Sequence, residues 1–181
     1  MLSRIFFACA LLALFCACSP LSWWWMDHKF RQYSENSLNL LDMMVRERLL
    51  NMDAEVNTEP FPHHLYNQAS RASAEVKLAF TVQILREVSA LFEEDDSSSS
   101  WQEITVDHFL NIVNKQADEL QLCVSTSDRP SRRLHSYFRR LSHSVFGQMG
   151  HRIEAWERIR REVKDHLIRV DRLVSSLFTS N

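Results

Sequence analysis

Two amphipathic stretches near the carboxyl end carry the clearest hydrophobic pattern in the chain. In the first, apolar residues recur at i, i+4, i+7 and i+11, which is one stripe of a helix with a 3.6-residue period. In the second, apolar residues share one face, while arginines, glutamates and a lysine occupy the other. The pattern therefore predicts two helices. Their stripes are Leu134, Phe138, Leu141 and Val145 in the first, and Ile153, Trp156, Val163, Leu167, Val170, Val174 and Leu177 in the second.

The only two glycines of the sequence, Gly147 and Gly150, lie between these stretches. Glycine tolerates the left-handed backbone conformation that commonly ends a helix, so the pair predicts one sharp stop. The two stretches then form a helical hairpin with Trp156 near the start of its second arm. Pro130 suits the first helical position of the first arm.

Three further helices are predicted upstream from the same period. They cover about residues 26–51, 67–93 and 101–123, and Ser100 to Glu103 fits a capping box at the start of the third. The stripes are Leu38, Leu41, Val45 and Leu49, with Leu40 and Met44 beside them, then Val76, Phe80, Ile84, Val88 and Leu91, and then Val106, Phe109, Leu110, Val113, Ala117 and Leu120.

The apolar pattern lapses over residues 52–64, where acids and two prolines occur. A connection this long lets neighbouring helices run parallel, as long-crossover bundles require. No proline interrupts an apolar stripe, and no stretch alternates as a strand would. The predicted fold class is all-α, a long-crossover bundle of about five main helices with the long connection after the first.

Residues 1–17 have the pattern of a secretory signal peptide, with Arg4 near the start, an unbroken apolar run over residues 5–15 and then small residues. A run of this length is too short to span a bilayer, which needs about 20 residues. No second run of membrane-spanning length follows. We therefore expect a secreted, extracellular domain of residues 18–181, with no membrane insertion.

Composition and charge narrow the function classes. A chain of 181 residues is the usual size of one domain and can bury a sizeable core. The formal net charge is −2, whereas a nucleic-acid binder usually carries a strong basic excess, so no nucleic-acid partner is expected. The cluster Arg158, Arg160 and Arg161 is interpreted first as a solvated helix face, with receptor contact as the functional alternative.

Two cysteines remain once the signal peptide, with Cys9 and Cys16, is removed. Cys18 and Cys123 form an even pair in an oxidising compartment, which predicts a disulfide. Closing a loop of roughly 100 residues would contribute about 4–5 kcal/mol in the chain-entropy model. A zinc site is the alternative, but two thiols without a neighbouring histidine pattern match it poorly.

Motifs for catalysis and cofactors are absent from the sequence. It contains no glycine-rich phosphate loop, no Cys-x-x-Cys, no His-Glu-x-x-His and no Gly-x-Ser-x-Gly. His63 and His64 are adjacent and diverge on a helix, and His135 and His143 share a helix face without a third ligand. We therefore expect no enzyme activity, no cofactor and no metal site, and the lack of an Asn-x-Ser/Thr sequon predicts no N-glycosylation.

The hairpin also carries a family resemblance. Tyr-Phe-x-Arg-Leu at residues 137–141, followed by Ala-Trp-Glu-x-Ile-Arg-x-Glu-Val at 155–163, resembles the C-terminal signature of the type I interferons. Tyr137, Phe138 and Trp156 are its signature core positions, and Trp156 is expected to pack against the first helix. Segments at 61–62, 91–103 and 122–124 follow the same family in order, and residues 25–41 are most similar to the interferons of bony fish.

The resemblance implies a fold, a disulfide and a function. It implies a helical cytokine bundle, and one family disulfide joins an N-terminal cysteine to one at the helix end where Cys123 lies. Glu154 stands where many members have a cysteine of the second pair, which resembles the two-cysteine (group I) fish interferons. By resemblance, the protein would be a monomeric antiviral cytokine that bridges two class II cytokine receptor chains and starts Janus-kinase and STAT signalling.

The resemblance also implies receptor-contacting residues. In the family, one receptor chain grips the last helix together with the long connection after the first. The Trp-Glu-x-x-Arg spacing places Arg160 at the position of a receptor-contacting arginine, and Lys164 lies one turn further along. Both are expected to lie off the apolar stripe, free to meet a receptor.

Two other functions remain open at this point. An interleukin-10-like cytokine would share the fold but not the Ala155-Trp156-Glu157 signature. A secreted lipid-binding protein is permitted by long helices and 45% hydrophobic residues, although deep apolar stripes and a disulfide favour a closed core.

Overall fold

A computed structural model describes residues 26–44, 59–93, 103–124 and 130–178 of the chain. This part of the chain is all-α and contains no strand. A π-helical turn, Met26–Phe30, leads into the first helix. The α-helices are α1 (Arg31–Met43), α2 (His63–Ser70), α3 (Ala74–Glu93), α4 (Glu103–Gln121), α5 (Arg132–Met149) and α6 (Ile153–Ser175).

Four of these helices surround the core, and a fifth closes one side. Helix α1 packs against α4 and α6, and α3 packs against the same two helices. Helix α5 lies against α3 and α6, while the short α2 lies against α3. None of the described helices is both long and apolar enough to cross a membrane. The fold class predicted from the sequence is confirmed.

The apolar stripes of the hairpin form much of the core. Every stripe residue of α5 is fully buried, and Tyr137 joins them at 2% exposure. On α6 the stripe is buried from Trp156 to Val174, with Ile153 and Leu177 partly buried at its ends. The stop between the arms is made by Gly150 alone, whose φ of 65° ends α5, whereas Gly147 lies inside the helix.

Helix α1 carries a less apolar buried stripe than the sequence suggested. Ser34 and Ser37 are buried in it, and Leu38 lies at its edge, partly exposed. Gln116 of α4 donates to the Ser34 hydroxyl at 3.2 Å and to the Phe30 carbonyl oxygen at 3.4 Å, which supplies a polar partner inside the bundle. The predicted end of this helix, with Val45 and Leu49, lies outside the described residues.

The single helix predicted over residues 67–93 is wrong, because the chain forms two helices there. Helix α2 begins at His63 and ends at Ser70, and α3 begins at Ala74 after a three-residue break. In the first two turns of α3, Val76 of the predicted stripe is 44% exposed, and Leu78 takes a core position.

Helix α5 begins at Arg132, two residues after Pro130, which the sequence placed at the first helical position. Ser131 is the N-cap residue, and its hydroxyl accepts from the amide of Leu134. The side chain of Gln83 on α3 pairs with both backbone groups of Ser131, at 2.7 and 3.0 Å. These bonds fix the start of α5 on α3.

Several predictions fall outside the described residues. The signal peptide, Cys18, residues 52–58 of the predicted connection and the serine that begins the capping box all lie there. Cys123 is described, and it packs partly buried against the core just after α4. The Cys18 to Cys123 disulfide stays a prediction.

Candidate functional site

Helix α6 carries two polar clusters, and the first lies where α6 meets the end of α1. Arg160 is only 6% exposed. Its Nε donates to Glu157 at 2.9 Å, and one terminal nitrogen donates to the backbone carbonyl of Leu41 at 3.2 Å. Leu41 belongs to the last turn of α1, where carbonyl groups lose their intrahelical donors and a cation is favoured by the helix dipole. Arg160 therefore ties α6 to the end of α1.

The expectation that Arg160 is free to meet a partner is wrong. At 100° per residue, a position four residues after Trp156 lies about 40° from it around the helix. Arg160 is therefore on the flank of the apolar stripe, where α1 covers it. The helical spacing already contained this signal, because the angle can be counted from the sequence.

Lys164 lies further from the stripe, about 80° from Trp156 by the same count, and its side chain keeps 33% exposure. Its Nζ contacts Asp42 of α1 at 2.5 Å. The next residue of α1, Met43, is 70% exposed. We call Asp42, Met43 and Lys164 the α1–α6 edge, a surface that combines an ion pair with an exposed apolar side chain.

The second cluster is a buried chain of hydrogen bonds that the sequence did not reveal. Tyr66 of α2 lies 2.7 Å from Nδ1 of His166 on α6, whose Nε2 lies 3.3 Å from the hydroxyl of Tyr137 on α5. That hydroxyl donates to Glu162 at 2.7 Å. Because Tyr137 donates to the carboxylate, it accepts from Nε2–H of His166, which leaves Nδ1 to accept from Tyr66. A neutral His166 satisfies the whole chain.

Burial sets the ionisation of this chain. It lowers the pKa of His166 to about 3, and the charge of Arg169 acts in the same direction. Burial also raises the pKa of the Glu162 carboxyl, which the hydrogen bond from Tyr137 partly offsets. The pKa of Tyr137 is raised by burial and by the neighbouring carboxylate. The cluster therefore holds an uncharged imidazole at neutral pH.

Aromatic rings enclose the imidazole of His166. The ring centroids of Phe61 and Phe138 lie 4.6 and 4.8 Å from it. The guanidinium of Arg169 covers the Phe61 ring at 4.7 Å. His166 is fully buried, so the cluster joins α2, α5 and α6 away from solvent.

The signature residues also lie in the core. Tyr137 and Phe138 are 2% exposed, and Trp156 is fully buried. Within the described residues, the rings next to Trp156 include Phe146 of α5 and Phe92 of α3, with centroids 4.8 and 5.8 Å away. Packing of Trp156 against the first helix, whose predicted end lies outside the described residues, stays a prediction.

Histidine and acidic residues do not gather into a metal site in the part of the chain that the structure describes. His135 instead pairs with Glu87 at 3.0 Å. This arrangement gives the histidine a structural role on the surface of α5.

Comparison with known proteins shows similarity to interferons along nearly the whole described chain. The family model described as "Interferon alpha/beta domain" matches residues 26–177. Interferon a3 of Oncorhynchus mykiss is 34% identical over 154 residues, which covers 85% of this chain and 86% of that protein. The solved structure of zebrafish interferon 1 superposes with a TM-score of 0.69 at 32% identity, covering 83% of this chain and 97% of that one.

Proposed function

Since the chain belongs to the interferon alpha/beta family and is a type I interferon cytokine of the bony-fish kind, we propose that it is a secreted antiviral signal. It acts as a monomer that bridges two different class II cytokine receptor chains and starts Janus-kinase and STAT signalling. Members of the family are not enzymes, so the function is binding alone. Membership also decides between the interferon and the interleukin-10-like alternatives.

The observation that carries the proposal is the family match over residues 26–177. The fold agrees with it, because the described helices close around one core and do not leave long apolar faces for lipid. Secretion rests on the signal-peptide pattern of residues 1–17, and the two-cysteine subgroup rests on Cys18 and Cys123.

The α1–α6 edge supports one receptor-binding surface. Lys164 offers a charge and Met43 an exposed apolar side chain, the combination from which a few anchors supply most of the energy of an interface. Arg160 lies beneath this surface and acts as a positioning residue, because it holds the end of α1 against α6. The direct contact first expected of Arg160 is therefore assigned to Lys164.

A cell assay tests the proposal as a whole. Purified, refolded protein is added to cultured fish cells, and STAT phosphorylation and induction of an antiviral reporter are measured. We expect STAT phosphorylation and reporter induction after the protein is added. Both responses should be lost when a soluble receptor ectodomain is added in excess. A correctly folded protein that produces neither response would contradict the proposal.

Surface plasmon resonance on receptor ectodomains tests the α1–α6 edge. Lys164→Ala should weaken binding to one receptor chain at least fivefold, with an unchanged melting temperature because the lost ion pair is exposed. Lys29→Ala, an exposed lysine before α1, is the matched control and should keep wild-type affinity. An affinity of Lys164→Ala within twofold of wild type would move the receptor surface elsewhere.

A further inference from the structure

Helix α5 has an unbalanced charge. It carries four arginines and neither aspartate nor glutamate, whereas every other described helix with a lysine or arginine also contains acids. All four arginines are exposed, together with His135 and His143. The whole chain has a net charge of −2, so positive charge is concentrated on this one helix. We call Arg132, Arg133, Arg139 and Arg140 the basic face.

The arginines of the basic face are regularly spaced. Arg132 and Arg139, like Arg133 and Arg140, are seven residues apart, which corresponds to about 10.5 Å along a helix. At 100° per residue the four side chains leave the helix within an arc of about 120°. The basic face is therefore a strip of two charge pairs, and it is suited to a ligand whose charges repeat along its length.

Few acids neutralise this strip. Glu59 pairs with Arg140 at 2.8 Å, although the Arg140 side chain remains 53% exposed. Glu87 pairs with His135, which lies about 40° beyond Arg139 around the helix. Within the described residues, Arg132, Arg133 and Arg139 take part in no ion pair. Their charges are available to a partner.

The strip also borders a groove of about 720 Å³. One wall comes from α5, with Arg132, Arg133 and Arg140, and the other comes from residues 59–65, with His63 and His64. A flat surface would contact an extended ligand on one side only, whereas this groove can donate hydrogen bonds from both walls.

We infer that the basic face binds a linear sulfated polysaccharide of the extracellular surface. The planar guanidinium of arginine matches the paired oxygens of a tetrahedral oxyanion and donates two parallel hydrogen bonds to it. A chain of sulfated sugars presents such groups at regular intervals, which two charge pairs on one strip can engage together. The inference rests on the proposed function in one respect: the protein must be secreted in order to meet this extracellular polymer.

The side chains around the strip favour this ligand over the other common polyanions. Proteins that bind single-stranded nucleic acid offer exposed aromatic rings on which bases stack. Tyr137 and Phe138, between the arginines of α5, are buried, and Phe61 of the groove is partly buried with the guanidinium of Arg169 over its ring. A membrane-surface helix inserts apolar side chains between lipids, but the apolar stripe of α5 is turned into the core.

The basic face and the α1–α6 edge lie on different elements. The first is on α5, which packs against α3 and α6, and the second joins α6 to the end of α1. The two surfaces can therefore be altered separately, which makes the inference testable without disturbing the proposed receptor contact.

Surface plasmon resonance on immobilised heparin tests the inference at about 0.15 M salt. The wild type should bind heparin and fail to bind chemically desulfated heparin. Arg132→Gln/Arg139→Gln should weaken heparin binding at least fivefold. The control Arg71→Gln/Arg172→Gln removes the same charge from exposed positions on α2's end and α6, and it should stay within twofold of wild type. Circular dichroism confirms that both variants keep wild-type helix content.

Three results would overturn the inference. They are a wild type that does not bind heparin at this salt, equal losses in both double variants, and tighter binding to single-stranded DNA or phosphatidylserine vesicles than to heparin. The assay uses no receptor and no cells. A protein that binds heparin through α5 but gives no STAT phosphorylation would reject the proposed function alone, and the reverse pair of results would reject this inference alone.

Discussion

Helices α5 and α6 form one hairpin, yet they place their charged residues differently. On α5 all four arginines are exposed and the buried side is apolar except for Tyr137. On α6 the buried residues include Glu157, Arg160, Glu162 and His166. Both helices have a clear amphipathic pattern in the sequence, so the pattern alone does not explain the difference.

The number of helices packed against each arm explains why α6 buries charged residues and α5 does not. Within the described residues, helix α5 packs mainly against α3 and α6, whereas α6 packs against α1, α3 and α5 and also bonds through His166 to Tyr66 of α2. A helix with three neighbours buries a wider arc than its apolar stripe, so the residues flanking the stripe must find partners inside the protein. The burial of Arg160 and His166 follows from this, and each has the hydrogen bonds that burial requires.

The largest effect is expected at the apolar centre of α6. Trp156→Ala removes a fully buried indole that contacts rings of α3 and α5, and it should cost about 3–5 kcal/mol of unfolding free energy. For a domain of this size, that lowers the melting temperature by at least about 6 °C. Differential scanning calorimetry measures the change, and an unchanged midpoint would contradict the burial of the indole.

The buried ion pair of α6 should come next. Arg160→Met leaves the Glu157 carboxylate buried without its cation, which we expect to destabilise the protein by about 3 kcal/mol. Glu157→Met/Arg160→Met removes both charges and should be more stable than the single variant. Urea denaturation measures the unfolding free energies of the single and the double variant. A single variant as stable as wild type would show that Arg160 is not held as described.

A pH-dependent loss of stability should arise from His166. Its pKa is lowered in the folded state to about 3, against about 6.5 for an ordinary histidine, so folding favours the neutral form. The stabilisation is complete above pH 6.5 and is lost as the pH falls towards 3. Between pH 7 and 5 the loss is about 2 kcal/mol. The raised pKa of Glu162 opposes it, because a buried carboxyl is relieved by protonation.

The urea midpoint at pH 7 and pH 5 measures this loss. His166→Gln should have a smaller pH dependence than wild type, because glutamine carries no titratable group. The control His143→Gln, which alters an exposed histidine of α5, should keep the wild-type dependence. If the two variants change by the same amount between the two pH values, the acid sensitivity has another source.

The smallest effect is expected on the outer side of α5. Arg139→Gln changes an exposed side chain on a helix that is covered on one side, so the unfolding free energy should stay within about 0.5 kcal/mol of wild type. The loss of unfolding free energy in Arg139→Gln, divided by the loss in Arg160→Met, compares the two helices directly. Equal losses in the two variants would show that α5 and α6 are covered alike.

Much of the fold could be predicted because helical periodicity is local. The apolar positions of α4, α5 and α6 and the stop at Gly150 all follow from residues within a few turns of one another. The break at residues 71–73 could not be predicted in this way, because neither glycine nor proline marks it. The chain divides into α2 and α3 at these residues, although the helical pattern of the sequence continues across them.

The sequence by itself determined that the chain is helical, which residues form most of the core and which family it belongs to. Only the tertiary structure decided the fate of polar residues beside the stripes. Arg160 donates to a carbonyl 119 residues away, and His166 bonds to Tyr66 at a separation of 100 residues. The physical reason is that the period of a helix fixes which side chains share a face. The neighbour that covers that face comes from a distant part of the chain, and it decides whether a charge meets water or a partner.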